Sequence, residues 1–212
     1  RIWVSVVGIA SIFLGSKGYA DTVISVADFG LKPDTRENAV AYVQKAIEAC
    51  RGKEPVTLVF PEGRYDFWPQ YAHEKNYYET NTYDVFPKRL AMLFEGLHNI
   101  TVDGNGSQFV MHDRIQPITV ENCDGVTLKN FSIDWDIPLT AQARVTKVGS
   151  DFFEIGINVL ESPYIIEDGK LVFVGEGWKS ALGSMIEFES DTHFVVPGTG
   201  DLVLGWNWGD YT

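Results

Sequence analysis

Two imperfect copies of one sequence unit lie in the middle of the chain. Residues 93–104 (LFEGLHNITVDG) align with residues 119–130 (TVENCDGVTLKN), 26 positions further on. In each copy a short alternating strand is followed by a polar turn, a second strand and a Gly or Asn break. Because a unit of this size cannot bury its apolar face alone, it must stack on its neighbours. The repeat predicts an all-β fold, a right-handed parallel β-helix; chance alternation in a β-sandwich is the alternative.

Charge and composition limit the possible partners. The 212 residues carry a formal net charge of −12 without any basic run, which argues against binding to nucleic acid or to acidic membranes. Cys50 and Cys123 are too few for a disulfide scaffold, so we expect free thiols. The four histidines are scattered and no Cys/His cluster has zinc spacing, so no metal site and no cofactor are predicted.

Residues 1–20 have the pattern of an export signal. Arg1 precedes an apolar run over residues 2–14, and residues 18–20 (GYA) include small side chains where cleavage would occur. The run is short for a membrane span, although a retained anchor is the alternative. We therefore expect an acidic exported protein, periplasmic or secreted, without membrane attachment after cleavage.

The segment before the repeat predicts a strand, a helix and an earlier turn of the stack. The strand covers residues 23–29, and the helix follows Asp34, which with Glu37 forms a capping box. The helix ends at residues 51–52 and is expected to cover the open end of the core. Short strands are predicted at residues 56–60 and 64–67. The apolar face of the helix has four residues at helical spacing: Val40, Val43, Ile47 and Cys50.

Two later segments depart from the repeat. Residues 68–88 form a long loop rich in tyrosine and hydrogen-bonding side chains, which suits sugar recognition as well as it suits a packed structural loop. After Pro138 the pattern changes to a hairpin with its turn at residues 149–150, followed by strands at 170–177 and 184–190. The predicted domains are a signal peptide (1–20), the first part of the β-helix (21–138) and an inserted β-barrel or sandwich (139–212).

Candidate site residues follow the second repeat. Asp134 and Asp136 share one strand face with Ser132, while the other face carries Phe131, Ile133 and Trp135. Residues two apart on a strand lie roughly 6.5–7 Å apart, near the lower limit of the about 6.5–9.5 Å between the carboxylates of inverting glycosidases. For Asp134 and Asp136, a role in lining a sugar-binding site is nevertheless favoured over a catalytic role. The simpler alternative is that both carboxylates are only solvated.

A second polar group lies at the corner between the repeats. His112, Asp113 and Arg114 form either a ligand-binding corner or, by the preferred interpretation, a surface salt bridge. Residues 104–106 (GNG) predict a turn that uses positive φ and lack the setting of a dinucleotide-binding fingerprint. The candidate substrate-binding residues are Asp134, Trp135, Asp136, His112 and Arg114.

Three stretches together resemble a known family. These are FPEGRYDFWP, the tyrosine-rich segment ending in PKRLAMLFEGLHNITVDGNGSQFVMH, and LKNFSIDWDIPLTAQ. Over residues 24–148 the chain resembles the opening of the exo-acting α-1,3-galactosidases of glycoside hydrolase family 110. The resemblance implies a parallel β-helix with an inserted β-barrel, and metal-independent inverting removal of terminal galactose from glycans such as blood-group-B-type structures. It also implies catalytic aspartates beyond Thr212, so that this piece alone would be inactive.

Two other functions stay open at this point. One is another β-helix enzyme that cleaves within a polysaccharide, as a polygalacturonase-like hydrolase or a lyase does. The other is a non-catalytic glycan-binding β-helix.

Overall fold

The computed structural model describes residues 22–77, 87–197 and 202–203, and in these residues the fold is mostly β-strand with one α-helix. The predicted export signal, residues 78–86 of the long loop and residues 204–212 lie outside the described residues. No helix in the described part is long and apolar enough to cross a membrane. The elements of the first half are β1 (Thr22–Ser25), α1 (Val40–Cys50), β2 (Val56–Val59), β3 (Arg64–Phe67), β4 (His73–Lys75), β5 (Lys88–Glu95), β6 (His98–Met111), β7 (Gln116–Glu121) and β8 (Asp124–Trp135).

Most strands of the first half pair in parallel. In one sheet β1 pairs with β2, and the long β6 pairs with β2, β3 and β8. In the other sheet β5 pairs in parallel with β7 and antiparallel with β4. The register places Ile100 opposite Val126 and Phe94 opposite Val120, partners that are 26 residues apart. The alignment of the two repeats is therefore confirmed, and the pairing is parallel, unlike that of the sandwich alternative.

Left-handed residues recur at matching points of the two units. Gly96 and Asn122 both have positive φ, and so do Asn99 and Gly125. These are the positions where the chain turns between β5 and β6 and between β7 and β8. The positive φ predicted at residues 104–106 is found at Asn105 and Gly106, with values of 50° and 84°, but this segment lies within β6 and does not separate two strands. The register shifts there, between Asp103 and Ser107.

The hydrophobic core lies between these sheets and α1. The helix contacts β1, β2 and β5, and its predicted apolar face, Val40, Val43, Ile47 and Cys50, is buried as expected. Burial raises the pKa of Cys50 to about 11, and Cys50 and Cys123 are both free thiols, as predicted. Burial of the side chains falls off at β8: Val102 is fully buried, whereas its partner Leu128 is 40% exposed.

The start of the chain differs from its prediction in two respects. The first strand ends at Ser25, because the Ser25 hydroxyl accepts from the Ala27 N–H and begins a 3₁₀-helix over Val26–Phe29. The α-helix begins at Val40, and Asp34 does not cap it. The Asp34 main chain and carboxylate bind the Arg64 main chain instead, so Asp34 joins the edge of β3. The end of the helix at Cys50 is as predicted.

After Pro138 the described strands form small antiparallel sheets. The predicted hairpin is confirmed, with β9 (Ala143–Val148) paired to β10 (Phe153–Ile157), but the segment expected as a strand over 184–190 contributes only a two-residue strand. The described strands do not close into a barrel, since they belong to three separate sheets. The elements are β9 (Ala143–Val148), β10 (Phe153–Ile157), β11 (Tyr164–Glu167), β12 (Lys170–Gly175), β13 (Trp178–Ala181), β14 (Ser184–Met185) and β15 (Leu202–Val203).

Candidate functional site

A group of charged side chains collects at one end of the β3–β6–β8 sheet. The register pairs Phe67 with Met111 and Met111 with Trp135, so the residues that follow these strands lie beside one another. The His112 N–H donates to the Phe67 carbonyl at 2.9 Å, and the Asp136 N–H donates to the Met111 carbonyl at 3.0 Å. The group, called here the Arg64 cluster, consists of Arg36, Arg64, Asp66, His112, Asp136 and Glu176.

Arg64 joins two carboxylates within this cluster. Its Nη2 lies 2.6 Å from Oδ1 of Asp66 and 2.6 Å from Oδ1 of Asp136, and its Nε also donates to Asp66. Arg36 adds a second cation, 3.5 Å from Asp136 and 3.7 Å from Asp66. Charge-assisted and partly bidentate contacts of this kind hold planar groups in one orientation.

His112 lies between the carboxylates of Asp66 and Glu176, and its side chain is only 2% exposed. Its Nε2 is 2.8 Å from Asp66, and its Nδ1 is 2.6 Å from Glu176. The indole of Trp68 stacks on the imidazole with ring centroids 3.8 Å apart and an interplanar angle of 12°. Both imidazole nitrogens therefore face carboxylate oxygens, so the ring is held from two sides.

Asp66 and Asp136 are held in their charged form. Burial alone would raise the pKa of Asp66, but hydrogen bonds from Arg64 and His112 outweigh it and lower that pKa below its ordinary value. The hydrogen bond from Arg64 likewise lowers the pKa of Asp136. The hydrogen bond from Arg64 to Asp66 is the main cause that raises the pKa of Arg64, and the hydrogen bond to Asp136 adds to it.

Three groups of the cluster have the spacing of metal ligands. One ligand atom each from Asp66, His112 and Asp136 lies within 4.8 Å of the others. However, Oδ1 of Asp66 and Oδ1 of Asp136 already accept hydrogen bonds from Arg64. A cation at this point would face the guanidinium, so the donor set fits an ion-pair network better than a metal site.

The turn between β12 and β13 contacts the cluster. Glu176 reaches His112 from this turn, and Gly177 has φ of 72°. A Cβ on Gly177 would lie 2.3 Å from the Asp113 carboxylate, so glycine permits the close approach. The antiparallel part of the chain is thus joined to the parallel sheets at His112 and Asp113.

A second charged group links β4 to the neighbouring parallel strands. Glu95 and Glu121 are register partners on β5 and β7, and Lys75 on β4 contacts both, at 2.7 and 2.8 Å. Tyr77 donates a hydrogen bond to Glu121. Lys75, followed by Tyr77, lowers the pKa of Glu121. Lys75 thereby offsets the repulsion between two stacked glutamates.

An open pocket adjoins the Arg64 cluster at Trp68. Its volume is about 490 Å³, and Trp68, Tyr71, Glu74, Arg89 and Asp113 are among its lining residues. The described part of the loop predicted for sugar recognition therefore forms much of its wall.

The structure brings together two of the five predicted site residues in the cluster: His112 contacts Asp66, and Asp136 accepts a hydrogen bond from Arg64, which also binds Asp66. Asp134 points elsewhere and accepts from the Trp135 N–H at 2.8 Å, while the Trp135 Nε1 donates to the Asp113 carbonyl. Arg114 is exposed. The proposed binding roles of all five stay predictions. The preferred interpretation of a surface salt bridge at His112 is wrong, because that side chain is buried against Asp66 and Glu176.

Sequence reasoning missed Arg64, Asp66 and Glu176. Arg64 and Asp66 are opposite charges two positions apart on one strand, which is a usable local signal for an ion pair. Glu176 has no such signal, since its partner His112 is 64 residues away.

Comparison with known proteins shows similarity to α-1,3-galactosidases. Alpha-1,3-galactosidase B of Bacteroides thetaiotaomicron is 59% identical over 193 residues, which are 91% of this chain and 31% of that protein. Alpha-1,3-galactosidase A of Shewanella woodyi is 36% identical over 79% of this chain and 28% of its own length. Alpha-1,3-galactosidase B of Parabacteroides distasonis is 34% identical over 96% of this chain and 34% of its own length.

A family model, GLAA-B beta-barrel domain I, matches residues 141–210. The predicted resemblance to the α-1,3-galactosidases, which are glycoside hydrolases, is thereby confirmed. The chain spans about a third of the length of the curated relatives it matches.

Proposed function

We propose that this chain is part of an exo-acting α-1,3-galactosidase that releases terminal galactose from glycans. The observation that carries the proposal is the 59% identity, over 91% of the chain, to a protein named for that activity. Galactose-terminated glycans are the proposed partners. The formal charge of −12 disfavours the polyuronate substrates of the alternative enzyme class, because like charges repel.

The proposed architecture is a right-handed parallel β-helix with α1 covering one end. The parallel register of β5 with β7 and of β6 with β8 supports stacked coils. The partly exposed Leu128 and Ile133 support a further coil on β8, because their partners Val102 and Phe109 are fully buried. The antiparallel part is proposed as an inserted barrel that begins near Pro138, and the family match over residues 141–210 supports this.

The proposed chemistry is metal-independent inverting hydrolysis. One carboxylic acid protonates the leaving oxygen while a carboxylate on the opposite side activates water. A general acid needs a raised pKa, whereas ion pairing lowers the pKa of Asp66 and Asp136. These two carboxylates do not suit proton donation, so we place the general acid on another residue, as the catalytic aspartates proposed beyond Thr212 would provide. We also propose export, on the pattern of residues 1–20.

The test compares the full-length parent protein with this chain. The parent should release galactose from an α-1,3-linked galactoside with inversion, so that the β-anomer appears first by NMR, and EDTA should leave the rate unchanged. This chain alone should release none. Cleavage of polygalacturonate by the parent would favour the polysaccharide enzyme. Binding of α-galactosides without turnover would favour the glycan-binding alternative.

A further inference from the structure

The pocket at Trp68 has a fixed aromatic wall. Trp68 stacks on His112, and Asp66 and Glu176 hold both imidazole nitrogens. The indole is stacked on His112 on one face and still lines the pocket, so the stacking contact opposes its rotation when a ligand enters. An aromatic surface that is ordered in advance lowers the entropic cost of binding.

The loop that carries Tyr71 is held in place by side chains from and beside α1. Asn38 accepts from the Trp68 N–H at 3.3 Å and donates to the Gln70 carbonyl at 2.9 Å. Gln44 donates to the Tyr71 carbonyl at 2.9 Å. Tyr71 is thereby kept at φ of 70°, a conformation unfavourable for a bulky residue, with 64% of its surface exposed. Tyr71 also lines the pocket together with Trp68.

The polar groups of the pocket suit hydroxyl groups rather than a charged ligand. Arg89 Nε lies 3.5 Å from Glu74 Oε1, and Asp113 is a further acceptor on the wall. Arg89 offers hydrogen-bond donors, and Glu74 and Asp113 offer acceptors. These three groups have a net charge of −1, and the whole chain is also acidic. A neutral molecule with both hydroxyl donors and acceptors complements this set, whereas an anion does not.

We propose that this pocket binds one pyranose unit of a neutral glycan. The ring faces of Trp68 and Tyr71 pack against the C–H face of the sugar, and Arg89, Glu74 and Asp113 bind its hydroxyl groups. The volume of about 490 Å³ lies within the roughly 300–1,000 Å³ of small-molecule sites. The inference rests on the proposed function only in naming a galactose-terminated glycan as the source of that unit.

The test uses three variants of the full-length parent protein. Tyr71→Ala removes the exposed ring, Tyr71→Phe retains it, and Tyr164→Ala is a matched control at an exposed tyrosine on β11 outside the pocket. The probe is the trisaccharide α-1,3-galactosyl-lactose. Tyr71→Ala should raise its KM about 2- to 12-fold with kcat unchanged, while the other two variants keep the wild-type KM.

Binding is measured independently of turnover by saturation-transfer NMR with the analogue of this trisaccharide whose terminal glycosidic oxygen is replaced by sulfur, which resists hydrolysis. The transfer signal should fall in Tyr71→Ala and persist in Tyr71→Phe and Tyr164→Ala. An unchanged KM together with an unchanged NMR signal in Tyr71→Ala would overturn the pocket and leave the galactosidase proposal intact. A parent that releases no galactose but loses the signal in Tyr71→Ala would overturn the activity and leave the pocket standing.

Discussion

Asp66 is a charged residue in the hydrophobic core, and its contacts explain why this is tolerated. Its two carboxylate oxygens accept hydrogen bonds from the Nε and Nη2 of Arg64, and one of them also faces His112. An isolated buried carboxylate would cost several kcal/mol of desolvation, whereas a multiply bonded one is compensated. The same bonds orient the imidazole on which Trp68 stacks.

Removing the charge of Asp66 should therefore destabilise the fold. In Asp66→Asn the guanidinium of Arg64 and the buried His112 each lose one of two carboxylate partners, while Asp136 and Glu176 remain, so we expect the free energy of unfolding to fall by about 1.5–3 kcal/mol. Chemical denaturation measures this. The control is Asp124→Asn at an exposed position, where the change should stay within about 0.5 kcal/mol. If both variants lost the same unfolding free energy, the hydrogen bonds to Asp66 would not be what stabilises the buried charges.

The pH dependence of stability follows from the same carboxylate. The folded-state pKa of Asp66 lies below its ordinary value of 3.8, so its stabilising contribution is complete above that value and is lost as the pH falls toward the folded pKa. The difference in Tm between wild type and Asp66→Asn should therefore be constant near pH 7 and shrink below about pH 4. A difference in Tm that is as large at pH 3 as at pH 7 would refute this interpretation.

At the scale of the elements, the corners between strands determine how the two units stack. Gly125 lies directly above Asn99, and a Cβ at Gly125 would come within 2.6 Å of the Asn99 Oδ1. Gly96 is also left-handed, but a Cβ there would meet nothing within 4 Å. Its counterpart in the second unit is Asn122, a residue that tolerates this conformation.

These two glycines make a matched pair of substitutions. Gly96→Ala should cost about 1–2 kcal/mol from the left-handed backbone alone. Gly125→Ala should cost more, because the added methyl group also displaces Asn99. Thermal unfolding of both variants measures the difference. If Gly96→Ala lowered Tm as much as Gly125→Ala, close stacking at this corner would not be the cause.

The contact between the β12–β13 turn and His112 joins two elements that are distant in sequence. Glu176→Gln should weaken this contact, because a charge-assisted hydrogen bond is roughly twice as strong as a neutral one. We expect faster amide hydrogen exchange over residues 170–178 and no change in β5. Glu154→Gln, on the exposed hairpin of β9 and β10, should leave exchange in that turn unchanged. Unaltered exchange in Glu176→Gln would show that other contacts hold the turn.

At the scale of the whole molecule, Leu128 and Ile133 on β8 are partly exposed in the described part of the chain, and the proposed further coil would cover them. If a further coil packs there, Leu128 becomes a core residue in the parent. Leu128→Ala should then cost the parent about 2–5 kcal/mol of unfolding free energy, but much less in this chain alone. Leu160, which is 86% exposed, is the control and should be nearly neutral to alanine in both. A small loss at Leu128 in the parent would remove the support for the added coil.

The sequence by itself determined the repeat, the pairing of its strands and the buried face of the helix. A period of 26 residues and the alternation of apolar side chains are local patterns, and they predicted the partners Ile100 and Val126 directly. The family resemblance was likewise readable from short motifs. Local patterns predicted the ends of some elements wrongly. Asp34 was expected to cap the helix, but its backbone pairs with Arg64 of β3, and no residue near Asp34 in the sequence indicates this pairing.

Only the tertiary structure decided which polar side chains meet. Asp134 and Asp136 look equivalent in the sequence, yet Asp136 binds Arg64, 72 residues away, and Asp134 binds the next backbone N–H. The burial of His112 and its contact with Glu176 depend on how the turn after β12 packs against the parallel sheets. Strand periodicity specifies the face on which a side chain lies, whereas the partner it finds is set by the packing of segments distant in sequence.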